Sequence, residues 1–164
     1  MNPKEDFHFV ELLKACAKQK DLVNGSRLHG DILKKGLLQK CPHLASTLIS
    51  MYSKCGMMSK SQQVLDEIPI RTVVSWNSLI SGYAQMGQSR EALNCFEYMQ
   101  SEGLSPDAIT FTSILKACGN IRDIEKGKQI HDEIISRDLM RRNVVLGTSL
   151  VDMYAKCGML EKAQ

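Results

Sequence analysis

The sequence predicts an all-α fold, a right-handed superhelical solenoid of stacked helix–turn–helix repeats, and three observations predict it. The first is self-similarity at a fixed offset of 102 residues. Leu12-Leu-Lys-Ala-Cys16 returns as Ile114-Leu-Lys-Ala-Cys118, and Gly25-Ser-Arg-Leu-His29 as Gly127-Lys-Gln-Ile-His131. Ile49-Ser-Met-Tyr-Ser-Lys-Cys-Gly56 returns as Val151-Asp-Met-Tyr-Ala-Lys-Cys-Gly158. Three matches at one offset mark an internal repeat, the feature that decides architecture before any other. The second is apolar spacing of i, i+3, i+4, i+7, with no sustained period-two alternation. The third is Gly and Pro punctuation at the ends of these apolar segments.

The elements follow in order. The first long amphipathic segment holds the LLKAC motif, and the one after it, carrying His29, stops at Gly36. The next runs through MYSKC to Gly56, and Ser59 with Gln62 fits a capping box opening its partner. Trp76, Leu79, Ile80, Tyr83 and Ala84 share a helical face that Gly87 closes as a left-handed cap. Ser89 is placed as an N-cap with Glu91 in the positive first turn; Ala92, Phe96 and Met99 then line one face. Gly103 ends that helix, and Pro106 blocks continuation. Gly119 and Gly158 are expected to follow the last two first helices, as Gly56 follows an earlier one.

A helical hairpin cannot bury its apolar face alone, so successive hairpins stack. Four complete pairs and half of a fifth exceed the roughly three repeats that such stacking needs. The chain stops at Gln164, just inside a second helix, as a fragment of a longer array would.

Composition agrees and excludes little else. Hydrophobic residues make up 43% and charged residues 24%, while aromatics are scarce at 5%, favouring close-packed helices over a β-sandwich. The charge of +3 permits a polyanionic partner without arguing for one. Six cysteines, at 16, 41, 55, 95, 118 and 157, form no CxxC pair, so they read as packing residues in a reducing compartment rather than disulfides or a zinc site. No apolar run approaches the roughly 20 residues of a membrane span. The first twenty residues contain Glu5, Asp6 and Glu11 but no Arg, unlike a transit peptide.

The segment Val73-Val-Ser-Trp-Asn-Ser-Leu-Ile-Ser-Gly-Tyr-Ala-Gln-Met-Gly87, closing at Gly103-Leu-Ser-Pro-Asp107, resembles a pentatricopeptide repeat over its standard 35 residues. Tetratricopeptide repeats are the competing pattern; Trp76 and Tyr83 fit part of it, but the Leu-Gly pair is absent and the period varies. A 36-residue piece with LKAC and a 31-residue piece with MYxKCG are similar to the long and short variants of the plant PLS subclass. The register is therefore long 6–41, short 42–72, standard 73–107, long 108–143 and truncated short 144–164.

The resemblance implies a groove for single-stranded RNA, one base per repeat, lined by the first helix of each pair. In this family the fifth and last residues of a repeat read the base. These are Asn77 with Asp107, Thr112 with Asn143, Ser46 with Thr72, and Thr148, whose partner lies past the chain end; Val10 with Cys41 has little polar capacity. An amide offers donor and acceptor to a base edge, and a carboxylate can orient it. By analogy Asn77 and Asp107 favour uracil over cytosine, and Thr112 with Asn143 favours adenine. The second residue wedges the base: Val74, Ile109 and Val145, with His43 and Phe7 less typical. A β-branched side chain is stiff enough to hold a splayed base.

Each assignment has a rival. Asn77 could bond locally as a polar residue early in a helix, and Val74 could be inter-repeat core. His29, and His131 beside Asp132 and Glu133, invite a catalytic reading, but their positions in second helices favour packing. Lys34-Lys35 and Arg141-Arg142 read as solvated helix ends that can touch phosphate. No cofactor, metal site or catalytic residue is expected in this segment, because the His-x-Glu and Pro-Cys-x-x-Cys of a deaminase are missing. The subclass implies target selection for cytidine-to-uridine editing in a mitochondrion or chloroplast, with editing-complex accessory proteins as further partners. The alternatives are an RNA stability or processing factor without editing, and a protein-binding scaffold.

Overall fold

The computed structural model describes residues 3–159, and every regular element among them is helical. In chain order these are α1 (Pro3–Gln19), α2 (Leu22–Lys34), α3 (Pro42–Lys54), α4 (Met58–Glu67), α5 (Val73–Gln85), α6 (Ser89–Ser101), α7 (Ala108–Ile121), α8 (Ile124–Ser136), a 3-10 turn (Met140–Arg142) and α9 (Val144–Lys156). The helices α3, α5, α7 and α9 begin at or next to the starts the repeat register assigns; α1 begins three residues ahead of its own. The helix expected at the chain end lies outside the described residues. None of the described helices is long and apolar enough to cross a membrane.

The chain divides into two compact units, Met1–Gly82 and Tyr83–Gln164. In the first, α1 pairs with α2 and α3 with α4, while α3 lies alongside α1. Leu13, Ile32, Leu44, Leu48, Ile49 and Leu65 are wholly buried there, each contributing about 1.5–3 kcal/mol of transfer free energy. Helix α2 seats closely on α3 because position 25 is glycine: a Cβ there would lie 2.5 Å from Met51 Sδ. The buried hydroxyls of Ser53 and Ser61 lie 3.0 Å apart, and both donate to the Ile49 carbonyl, tying α4 to α3.

The second unit repeats the scheme. Helix α7 packs on α6, α8 and α9. The Phe96 and Phe111 rings meet at 6.3 Å between centroids, and Lys126 of α8 reaches Glu97 of α6 at 3.1 Å. A Cβ on Gly127 would lie 2.5 Å from Met153 Sδ, the same relation that Gly25 has with Met51. In both units a base at the end of the second helix covers a phenylalanine of the first: Lys35 Nζ is 5.8 Å from the Phe9 centroid and Arg137 Cζ is 5.6 Å from that of Phe111.

Three local expectations are corrected. Gly119 does not follow its helix but lies inside α7, which runs on and ends at Arg122 in the left-handed region, φ 56°. The glycine is there because α9 comes close: an added Cβ would stand 3.3 Å from the Met153 Cα. Ser89 is not an N-cap; Gln88 takes that place without a side-chain bond, and the buried Ser89 is the first helical residue. Ser59 and Gln62 make no capping box, since α4 already starts at Met58 behind Met57, and Gln62 Nε2 donates to Asp66 instead. All six cysteines carry free thiols. Burial pushes the Cys118 thiol up to about 12, as befits a packing residue.

Candidate nucleic-acid interface

The expected reading residues fall at two positions of helical grammar. The residues that the register puts last, at 41, 72, 107 and 143, stand immediately before α3, α5, α7 and α9. Cys41, Asp107 and Asn143 are the N-caps of α3, α7 and α9. Thr72 stands before α5, accepting the Ser75 amide on its Oγ1 at 3.2 Å while its own amide donates to Ser75 Oγ at 2.8 Å. Asp107 makes the fullest cap: its Oδ1 accepts from the Ile109 and Thr110 amides and the Thr110 hydroxyl, each at 3.0 Å. Asn143 Oδ1 accepts only from the Leu146 amide among the described bonds, at 3.2 Å, and Cys41 makes no cap bond.

The fifth residues lie one turn into the same helices. Val10, Ser46 and Asn77 are buried, Asn77 being 6% exposed; Thr112 is half-buried and Thr148 exposed. The hydroxyls of Ser46, Thr112 and Thr148 all donate to the carbonyl four residues back, at 3.1, 2.8 and 3.0 Å. A hydroxyl that has donated its proton retains acceptor lone pairs, so these side chains present acceptors.

The second residues are the clearest feature. Val74, Ile109 and Val145 are 55%, 60% and 59% exposed, and His43 and Phe7 are exposed at the same position. An inter-repeat core role would bury them. Within the first unit α1 and α3 lie side by side, and within the second α7 and α9 do, so equivalent residues of those helices stand in rows.

Sequence reasoning missed two things. One is the capping duty of the last residues, whose signal is the spacing Asp107-x-x-Thr110 and Thr72-x-x-Ser75. The other is a set of exposed lysines four or eight residues past the fifth position: Lys14, Lys18, Lys54, Lys116 and Lys156. Lys14 pairs with Glu11 and Lys156 with Asp152, both at exposed sites where an ion pair contributes little. Lysines in this place offer phosphate contacts on the helices that carry the candidate readers.

The histidines take packing roles. His131 Nδ1 lies 2.7 Å from the Tyr154 hydroxyl, and Glu133 pairs with Arg137, so His131, Asp132 and Glu133 do not assemble an acid–base set. No group of three His, Cys, Asp or Glu side chains among the described residues converges as metal ligands would.

Known proteins resemble the chain throughout. Residues 71–120 match the PPR repeat family, and residues 45–71, 109–139 and 148–164 match the PPR repeat. Curated relatives from Arabidopsis thaliana include a chloroplastic pentatricopeptide repeat-containing protein, 38% identical over 98% of this chain and 19% of the relative. A mitochondrial one is 37% identical over 98% of this chain and 28% of the relative. The chain thus spans less than a third of the relatives it matches. Among solved structures, the maize pentatricopeptide repeat protein PPR10 superposes with a TM-score of 0.73 at 20% identity, covering 94% of this chain and 22% of that one. The same protein in complex with an 18-nt psaJ RNA element superposes at 0.71 with 23% identity, over 95% and 23% of the two chains. These likenesses show the fold, a solenoid of helical hairpins. Family matches over most of the sequence place the chain in the pentatricopeptide repeat family.

Proposed function

We propose that this chain binds single-stranded RNA sequence-specifically, one base per repeat, using the fifth and last residues as readers and the second as a wedge. One observation carries the reading. At the second position of every repeat, a place a packed helix would normally bury or make polar, an exposed residue stands, and it is β-branched at Val74, Ile109 and Val145. A solved relative in complex with RNA supports it.

In this reading the standard repeat carries the strongest preference, for uracil, through Asn77 and Asp107. Thr112 with Asn143 favours adenine, Ser46 with Thr72 and the single Thr148 read weakly, and the lysines hold phosphates. Specificity then comes from few repeats, and phosphate contacts supply much of the affinity.

The alternating repeat lengths support membership of the PLS subclass, and with it target selection for organellar cytidine-to-uridine editing by a longer protein. Relatives named chloroplastic and mitochondrial support an organellar address. The chain itself contributes recognition and no catalysis.

The test is RNA binding by the chain. Asn77→Ala weakens binding by about 1–3 kcal/mol for RNA with uracil at the matching site, and affinity falls steeply with salt. Unchanged binding by both Asn77→Ala and Asp107→Ala would falsify the base-reading assignment. Binding indifferent to salt and to competing single-stranded RNA would instead favour a peptide-docking scaffold.

A further inference from the structure

Resting on the reading of Asp107 as a base-reading residue, we propose that Thr110 is a positioning residue for it. Thr110 is wholly buried one turn into α7. Its hydroxyl accepts from the Asp107 amide and donates to Asp107 Oδ1, both at 3.0 Å. With the amides of Ile109 and Thr110 on the same oxygen at 3.0 Å, Oδ1 takes three hydrogen bonds. Three bonds to one oxygen fix both side-chain torsions, and with them the plane of the carboxylate. A reader held in this way distinguishes bases by geometry, because a wrong base cannot be met by rotating the side chain. Preorganisation also means that the ordering cost is met on folding rather than on binding.

Of the other last residues, Thr72 is held reciprocally by Ser75, and two show what a looser hold looks like. Asn143 faces Leu146 where Asp107 faces Thr110, so only a backbone amide, at 3.2 Å, caps it among the described bonds. Cys41 faces Leu44 and makes no cap bond. Stringency therefore follows the third residue of the following repeat: the site of repeat 73–107 is strict, and that of repeat 108–143 is permissive.

The experiment selects a randomised single-stranded RNA pool with the parent chain and with Thr110→Val, Thr110→Ala, Thr110→Ser and Asp107→Ala, and sequences the bound fractions; melting temperatures are measured alongside. Asp107→Ala identifies the RNA position that this residue reads. At that position Thr110→Val and Thr110→Ala lower the uracil preference by about fivefold to tenfold, and Thr110→Ser restores it. Equal loss of affinity for all four bases, with the preference intact, would show a merely structural role and overturn the proposal. Should Asp107→Ala alter no position, the reading of Asp107 fails and takes this proposal with it. Should it alter one position while the Thr110 variants do not, positioning alone fails.

Discussion

His131 Nδ1 lies 2.7 Å from the Tyr154 hydroxyl where α8 meets α9, and in the other unit His29 Nδ1 lies 2.9 Å from that of Tyr52 where α2 meets α3. Both ring pairs meet edge-on at 5.6 Å between centroids and 70° between planes. A polar bond between the second helix of one repeat and the first of the next thus recurs along the array.

Tyr154→Phe keeps the ring packing and deletes the hydroxyl, leaving the half-buried imidazole without this partner. The expected loss is about 1 kcal/mol, or about 2–4 °C in melting temperature. Circular dichroism melts of parent and variant measure it, and an unchanged melt would show that the bond contributes nothing.

His29 adds a pH dependence. Burial holds its imidazole below the ordinary histidine range; Glu67 pulls it up, and Lys60 pushes it down. Nε2 is buried with no hydrogen-bond partner, so a proton there would find no acceptor. The unfolded chain therefore takes up the proton first as pH falls through the ordinary value of 6.5. Stability from this group is complete above that pH and is lost as pH falls towards the folded value. Melting temperatures of the parent should fall more steeply between about pH 7.5 and 5 than those of His29→Gln. Parallel curves would exclude His29 as the cause.

Much of this was legible in the residues. Helix ends could be read because an apolar helical period, broken by left-handed glycines such as Gly56 and Gly87, is a local signal. Gly119 was misread because a glycine after Ala-Cys looks like a helix stop, whereas the reason for it is the backbone of α9, which no local pattern records. Ser89 missed capping by one residue, within the usual uncertainty of helix ends. The spacing of Asp107 to Thr110 encodes a second role, the cap of α7, in the same residues that carry the repeat pattern. The burial of Asn77 and the exposure of Val74 depend on packing between helices, which spacing does not report.

The turns repeat even where the residue changes. Lys20 and Arg122, at equivalent places 102 residues apart, both adopt positive φ, 54° and 56°. A left-handed conformation costs an L-residue about 1–2 kcal/mol, and glycine escapes most of that while losing more freedom on folding. Arg122→Gly should therefore stabilise the chain by about 0.5–1 kcal/mol. A urea midpoint that rises at constant slope would bear this out; a lower midpoint would mean that the Arg122 side chain contributes more than its backbone costs.

The wedge assignment predicts that folding and binding respond differently. Ile109, at 60% exposure, has little burial to lose, and alanine is the better helix former. Ile109→Ala should leave stability within about 0.5 kcal/mol of the parent. A wedge, however, acts only when a base is seated: removing it forfeits the apolar contact and the stiffness that keeps the base splayed. Affinity for single-stranded RNA should therefore fall by about 1 kcal/mol, while Ile109→Val, still β-branched, retains most of it. Val145→Ala should behave in the same way, since Val145 holds the equivalent place on α9 and is as exposed as Ile109. Thermal melts and binding titrations on one preparation separate the effects. A drop in melting temperature with RNA affinity unmoved would return Ile109 to the inter-repeat core and leave the groove without its wedge.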